Sequence, residues 1–296
     1  MDLVVRCAQL PKPGQTILAE SSTEYSGGKG ANQAVAAALA GGSVSMIGAV
    51  GSDGFAQRLL HNLRQHDIDC HHVSQRTAMA SGLAVISVDA AGQNSIMVVP
   101  GANATLTRDD VLAARRLIEQ CDVLLVQLEI PLEAVWAGIE LAQVAGARVV
   151  LDPAPASTKL PAEFLSADLI CPNETEAAEL TGQQVGSLEE AHLAATALHR
   201  LGAKRVAITL GERGTLLSLP NNQPRLILSF PIDAVDTTAA GDAFAGALVV
   251  HWAQTDDLPA SIRFANAAGG LAASKHGAQA SMADRAAIET LVRTNQ

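Results

Sequence analysis

The chain has 296 residues, 48% of them hydrophobic and 17% charged, enough apolar material for a sizeable core and too much for disorder to be its main state. Thirty acidic residues against 20 basic ones give a formal net charge of −10, which argues against a nucleic-acid or anionic-membrane partner. A phosphate-bearing ligand therefore needs locally placed donors.

The four cysteines, Cys7, Cys70, Cys121 and Cys171, lack metal-ligand spacing and read as reduced packing residues. The first residues have no basic start followed by a long apolar run, and no stretch reaches the roughly 20 apolar residues of a membrane helix. We expect a cytoplasmic globular protein. The pair His71-His72 reads as a solvated turn rather than a metal site.

In chain order, residues 3–6 form a strand-like run, 30–40 a helix, 44–50 a strand and 54–66 a second helix. Residues 81–100 read as a hairpin, with β-favouring runs at 81–88 and 95–100 around the turn Asp89-Ala90-Ala91-Gly92. Beyond about residue 100 the pattern becomes a regular alternation. Apolar runs at 123–129, 149–152, 169–173 and 206–210 are each associated with a helix, the clearest over 132–145. Near-continuous apolar strands joined by helices predict a parallel sheet buried on both faces. The expected fold is a single doubly wound α/β domain over 1–296, a mostly parallel sheet flanked by helices, with a small β appendage from about 3–26 and 81–100. Helices following Ala240, Leu258 and Ala283 should cover one face.

Ligands of such folds sit beyond the carboxyl ends of the strands, and three predicted strands end in polar residues: Glu129, Asp152 and Asn173. The most informative segment is Asp236-Thr237-Thr238-Ala239-Ala240-Gly241-Asp242. Small residues ahead of an apolar helix leave its first N–H groups uncovered, and with the helix dipole they make an anion site. Asp242 would stand on the first turn, either as a chemical group or as a helix-capping carboxylate. Gly27-Gly28-Lys29-Gly30-Ala31-Asn32 permits close backbone approach to a ligand, but it is neither a P-loop nor a good dinucleotide fingerprint, because Gln33 stands where a third glycine belongs. Pro172-Asn173-Glu174-Thr175-Glu176 reads as a capped helix start, and Thr209-Leu210-Gly211-Glu212-Arg213-Gly214 as a strand end entering a turn.

Together these segments resemble the phosphofructokinase-B-type carbohydrate kinases, most closely their ribokinase branch, over essentially the whole chain. The likeness rests on G-G-K-G-A-N-Q-A at 27–34 and D-T-T-A-A-G-D at 236–242, with Q-L-E at 127–129, D-P-A-P-A at 152–156, P-N-E-T-E at 172–176 and G-A-Q at 277–279. It implies a ribokinase-like fold with a β lid and ATP-dependent phosphorylation of D-ribose at its 5-hydroxyl. Asp242 would be the general base, with the amides of Ala239, Ala240 and Gly241 as an anion hole. Asp2, Gly28, Lys29, Gly30, Asn32 and Glu129 would hold the sugar. Asn173 and Glu176 would organise the phosphates and Mg²⁺ through water, and Thr209, Gly211, Glu212, Arg213, Gly214 and Asn266 would border the nucleotide. Asp236, Thr238, Ala272, Lys275, Gly277 and Ser281 would form a K⁺ site. A homodimer through the lid is implied as well.

The start of the chain departs from the family pattern, in which a buried strand ends in G-S-x-N-x-D. Asp2 aligns with the final Asp, but the Asn and the strand have no counterpart, and we expect a start placed too far downstream, with weaker stability and sugar binding. Two other functions stay open: another pentose or sugar kinase, such as a deoxyribokinase, and a non-catalytic sugar-binding relative.

Overall fold

The computed structural model describes residues 1–158 and 160–295. Its first part runs β1 (Asp2–Arg6), β2 (Ser21–Tyr25), α1 (Lys29–Leu39), β3 (Ser45–Val50), α2 (Gly54–Gln65), β4 (Asp69–Gln75), β5 (Leu83–Val88) and β6 (Asn94–Val99). Next come α3 (Arg108–Ala113), α4 (Arg115–Ile118), β7 (Val123–Val126), α5 (Leu132–Ala145), β8 (Arg148–Leu151), β9 (Leu169–Ile170), α6 (Glu174–Thr181) and α7 (Leu188–Arg200). The chain closes with β10 (Val206–Thr209), β11 (Thr215–Ser218), β12 (Arg225–Ile227), α8 (Ala240–Thr255), α9 (Leu258–Ala273) and α10 (Arg285–Thr294).

Six strands form the main sheet in the order β12-β11-β10-β9-β8-β7. Strands β7 to β10 are parallel, and β11 and β12 add an antiparallel edge. The pleat sorts each apolar run onto two faces. Val149, Leu151, Ile170, Val206, Ile208 and Leu216 face the cluster that includes Ile139 of α5 and Leu198 of α7. Val150, Leu169, Ala207 and Leu217 face Leu248 of α8 with Ile262 and Phe264 of α9. Both faces are thus dry, and each buried aliphatic side chain contributes roughly 1.5–3 kcal/mol. This is the doubly wound α/β architecture expected from the sequence.

A second sheet, in the order β2-β1-β5-β6, is the appendage expected from 3–26 and 81–100. The 81–100 hairpin forms with Leu83 opposite Val99 and Val88 opposite Asn94, and Gly92 takes the left-handed conformation of its turn, φ 79°. Strands β3 and β4 make a separate parallel pair, so the sheet system is mixed rather than one continuous sheet.

Some elements were invisible to periodicity. Strand β2 is Ser-Ser-Thr-Glu-Tyr, and β4 is Asp-Cys-His-His-Val-Ser-Gln; neither carries an apolar alternation. His71 and His72 accordingly lie within strand β4 and not in a turn, a correction to the sequence reading. Local composition lost there to ladder hydrogen bonds with β3. No helix is long and apolar enough to cross a membrane among the described residues.

Candidate active site

The site begins with the closeness of two helices. A Cβ added at Gly246 of α8 would lie 2.5 Å from the Gln33 carbonyl oxygen and 2.6 Å from the Ala36 Cβ, so only glycine lets α8 sit this near α1. That approach carries Asn32 and Gln33 of α1 to the first turn of α8. Asp242 stands on that turn, 5% exposed, after a start at Ala239 in the left-handed region, φ 58°.

The Asp242 carboxylate caps nothing; the α8 N-cap residue is Ala239, and no side chain bonds there. Its Oδ2 accepts from Asn32 Nδ2 at 2.9 Å and its Oδ1 from Gln33 Nε2 at 3.1 Å, with Lys29 Nζ 3.9 Å from Oδ1. Burial pushes its pKa up, and Lys29, Asn32 and Gln33 partly offset this. In the first turn of α8 the N–H groups have no partners within the helix, although that of Ala240 turns back to the Thr237 carbonyl at 3.2 Å. A Cβ at Gly241 would meet open space, so this end of the helix is uncovered.

Around Asp242 the α1 entry supplies the remaining groups. Gly28 adopts φ 94°, and a Cβ at Gly27 would fall 1.9 Å from the Asp2 Oδ2, so each glycine has its own reason. The Lys29 N–H donates to Glu129 Oε2 at 3.1 Å, tying the α1 start to the end of β7. A Cβ at Gly30 would crowd Met46 and the Gln127 Oε1. Burial raises the pKa values of Asp2 and Glu129. For Lys29 burial works downward, but Asp242, Asp152, Glu176 and Glu129 together outweigh it and hold the ammonium above its ordinary value.

Asp152, just past β8, is 7% exposed and accepts from Gln33 Nε2 at 2.6 Å. Burial drives its pKa up to about 7. At the start of α6, Asn173 Oδ1 accepts from the Glu176 N–H and Glu176 Oε2 from the Asn173 N–H, both at 2.8 Å. This capping box is the structural role that the sequence suggested. The same residues also line a crevice of about 50 Å³ with Lys29, Asp152, Thr209 and Gly241. A larger cavity of about 660 Å³ lies elsewhere, beside Trp252, where the Arg148 and Arg205 guanidiniums stack at 4.7 and 5.7 Å. It contains none of the carboxylates above, whereas Asp152 and Glu176 both line the narrow crevice.

Among the described residues no three His, Cys, Asp or Glu side chains converge to hold a metal ion by themselves. Yet two carboxyl groups, buried Asp152 and half-buried Glu176, lie near the Lys29 ammonium, and burial raises the pKa values of both. That excess negative charge fits a divalent cation that takes much of its shell from water and phosphate.

Beside the α8 start, Asp236 Oδ1 accepts from the Thr238 N–H and Oδ2 from the Gly277 N–H, each at 3.0 Å. Burial alone would raise its pKa, but the bonds from Thr238 and Gly277 outweigh it and leave the group lowered, hence anionic. The N–H of Lys275 bonds the Ala272 carbonyl and the Ser281 hydroxyl bonds that of Ala278, so the turns carrying the remaining carbonyls are internally fixed. An anionic carboxylate beside the α8 start is a group that a cation could neutralise.

The nucleotide-side residues are less uniform. Thr209 bridges to Asn173, and Gly211, φ 58°, faces open space. Glu212 sits on the exposed turn Gly211–Arg213. Arg213 is occupied by Glu174 and by the Gly186 carbonyl, while a Cβ at Gly214 would fall 2.2 Å from the Ile227 carbonyl oxygen. Asn266 accepts from the Thr215 hydroxyl at 2.7 Å and donates to the Ile227 carbonyl at 3.0 Å, so its amide is spent on β11 and β12.

Sequence reasoning gave no role to Gln33, Gln127 or Gln279. The Gln279 amide donates to Asn32 Oδ1 at 2.9 Å and its oxygen accepts from Asn62 of α2 at 2.5 Å. All three lay inside the quoted motifs; what was missing was their partners, which are remote in sequence.

Comparison with known proteins bears on this arrangement. The model of the pfkB family carbohydrate kinases matches residues 1–285. A ribokinase of Staphylococcus aureus is 39% identical over 285 residues, covering 95% of this chain and 93% of the relative. A deoxyribokinase of Salmonella typhi is 37% identical over 264 residues, covering 89% and 86%. Among solved structures, Arabidopsis thaliana ribokinase complexed with ribose and ATP superposes with a TM-score of 0.91 at 32% identity, covering 99% of this chain and 95% of that one. With the family model matching residues 1–285 and a relative 39% identical over 95% of the chain, the protein belongs to the pfkB family of carbohydrate kinases.

Proposed function

We propose that this kinase transfers the γ-phosphoryl group of ATP to the 5-hydroxyl of D-ribose, with Asp242 as general base. The observation that carries this reading is a buried carboxylate, held by Asn32 and Gln33, on the first turn of a helix whose N-terminus is uncovered. Asp242 takes the proton of the sugar hydroxyl as its oxygen bonds to the γ-phosphorus and the bond to the β,γ-bridging oxygen breaks, releasing ADP. Donors at the α8 start, with Lys29, meet the charge on the transferred group. Asp2, Asn32, Glu129 and the Gly28–Gly30 backbone orient the sugar, and Thr209, Gly211 and the Asn173 turn border the nucleotide. Glu176 and Asp152 would hold Mg²⁺ through water, and the ion supplies charge neutralisation at the phosphates. Asp236, Thr238 and Gly277 would keep a K⁺ beside the anion-binding loop.

The four-stranded sheet serves as a lid that keeps water from the phosphoryl group, and its β6 edge supports a homodimer. A deoxyribose substrate is the second reading, supported by the 37% identity to the Salmonella typhi deoxyribokinase. The test is ADP release with ribose, deoxyribose, fructose and adenosine, for the wild type and Asp242→Asn. Ribose should give the highest kcat/KM, and the variant should lose about 10²–10⁴-fold in kcat. Equal rates for the two proteins would end the general-base reading; a preference for deoxyribose would select the second substrate.

A further inference from the structure

The Gln33 side chain, 1% exposed, is a neutral amide wedged between two buried carboxylates. Its Nε2 lies 2.6 Å from Asp152 Oδ2 and 3.1 Å from Asp242 Oδ1, and its Oε1 accepts from Gln127 Nε2. The orientation follows from electrostatics. Turned over, the amide would aim its oxygen at two carboxylate oxygens and its nitrogen at another donor. One N–H therefore goes to each acid, and neither is free for substrate.

We propose that Gln33 is a positioning residue for the phosphoryl-transfer base: it holds the Asp242 carboxylate in its ionised form and orientation and insulates it from Asp152. The inference rests on the assignment of Asp242 as base and goes beyond it by naming the group that sets the base's protonation. With Gln33 on Oδ1 and Asn32 on Oδ2, each Asp242 oxygen carries one amide donor and keeps a lone pair for the sugar hydroxyl. The closeness of α1 and α8 at Gly246 and the bond from Gln127, beyond β7, hold the Gln33 amide in place. The charged groups facing Asp242 from the surrounding elements are Lys29 on α1, Asp152 after β8, Glu129 after β7, Glu176 on α6 and Asp2 on β1. Four of these five are acids, so Asp242 depends on its neutral donors and on Lys29 to stay ionised.

The experiment measures kcat and the sugar KM against pH for the wild type, Gln33→Met and Asp242→Asn. Methionine keeps the volume and removes both donors. A hydrogen bond to a charged group, once lost, moves the acid limb of kcat up by about one pH unit or more. On that limb kcat falls about tenfold, while KM stays within a few-fold. An acid limb in the same place as the wild type's overturns the proposal and leaves Gln33 as packing. Should Gln33→Met give no cooperative melt, Gln33→Leu replaces it. Leucine is apolar and donates nothing in any protonation state, so its limb must move the same way, and an unmoved limb is again fatal. If Asp242→Asn matches the wild type in rate, the base assignment fails instead, which separates the two outcomes.

Discussion

Asp152 shows how a single buried acid couples stability to pH. Its pKa is raised from the ordinary carboxylate range to about 7, chiefly by burial. At low pH it is protonated folded or unfolded and contributes nothing to the balance. Between about pH 4 and pH 7 the folded protein binds a proton that the unfolded chain has released, so stability declines as pH rises through that window, and above about 7 the penalty is complete. Asp2, Glu129, Glu176 and Asp242 are raised too and act with the same sign. The apo enzyme should therefore melt at a lower temperature at pH 8 than at pH 5.5, and Asp152→Asn should recover a few degrees at pH 8 and flatten the slope. A melting temperature that rises with pH over this range would contradict the burial argument. At this scale the sequence was only half legible. Asp242 could be picked out because its neighbours are small and a helix follows. The environment that sets its pKa could not, since the Gln33 contacts lie 119 and 209 positions away along the chain.

Among the elements, the α1–α8 contact is what makes the site. Gly246 contributes no chemistry, yet Gly246→Ala would place a methyl 2.5–2.8 Å from Gln33 O, Ala36 Cβ and Ala37 N. Overpacking of this kind costs roughly 1–3 kcal/mol, and it pushes α8 away from Asn32 and Gln33. The variant should lose that much stability in urea and also lose kcat; unchanged values in both would show that the helices can part freely. The loop before α8 is the second controlling element. Asp236 ties Thr238 to Gly277, and a K⁺ held there would stiffen the backbone just ahead of the α8 start. Activity should rise severalfold with K⁺ and stay low with Li⁺ alone; equal rates across K⁺, Na⁺ and Li⁺ would rule the cation out. Periodicity revealed α5 and the buried strands because both faces of the sheet are dry. Strand β4 stayed hidden, and β2 was legible only as part of the 3–26 appendage, because neither sequence carries an apolar alternation, although Cys70 and Val73 pack β4 onto the cluster of Val50, Ala56 and Leu60.

At the scale of the whole molecule, the two edges of the four-stranded sheet differ in kind. The β2 edge is polar and anchored, with Glu24 paired to Arg58 of α2. The β6 edge is apolar, with Ile96, Met97, Val98 and Val99 exposed by 53–62%. Successive residues of a strand point to opposite faces, so exposure of all four means that both faces of β6 are open as well as its edge. A long, flat, apolar edge without charge, proline or bulge invites pairing with another chain unless a specific partner covers it. The homodimer proposed above would supply such a cover, a second copy of the same sheet burying these apolar residues while leaving the polar β2 edge in water. Replacing Ile96 and Val98 by lysine places two charges on one face, and the same change at Met97 and Val99 treats the other. Whichever face packs against the partner should weaken the dimer by about a hundredfold or more, given roughly 1.5–3 kcal/mol for each buried aliphatic side chain. Sedimentation at micromolar concentration reads this directly. The disrupted pair should also raise the sugar KM, because a lid with an uncovered edge closes less completely. A wild-type chain that sediments as a monomer, or a dimer indifferent to both pairs of lysines, would show that the β6 edge is covered in some other way.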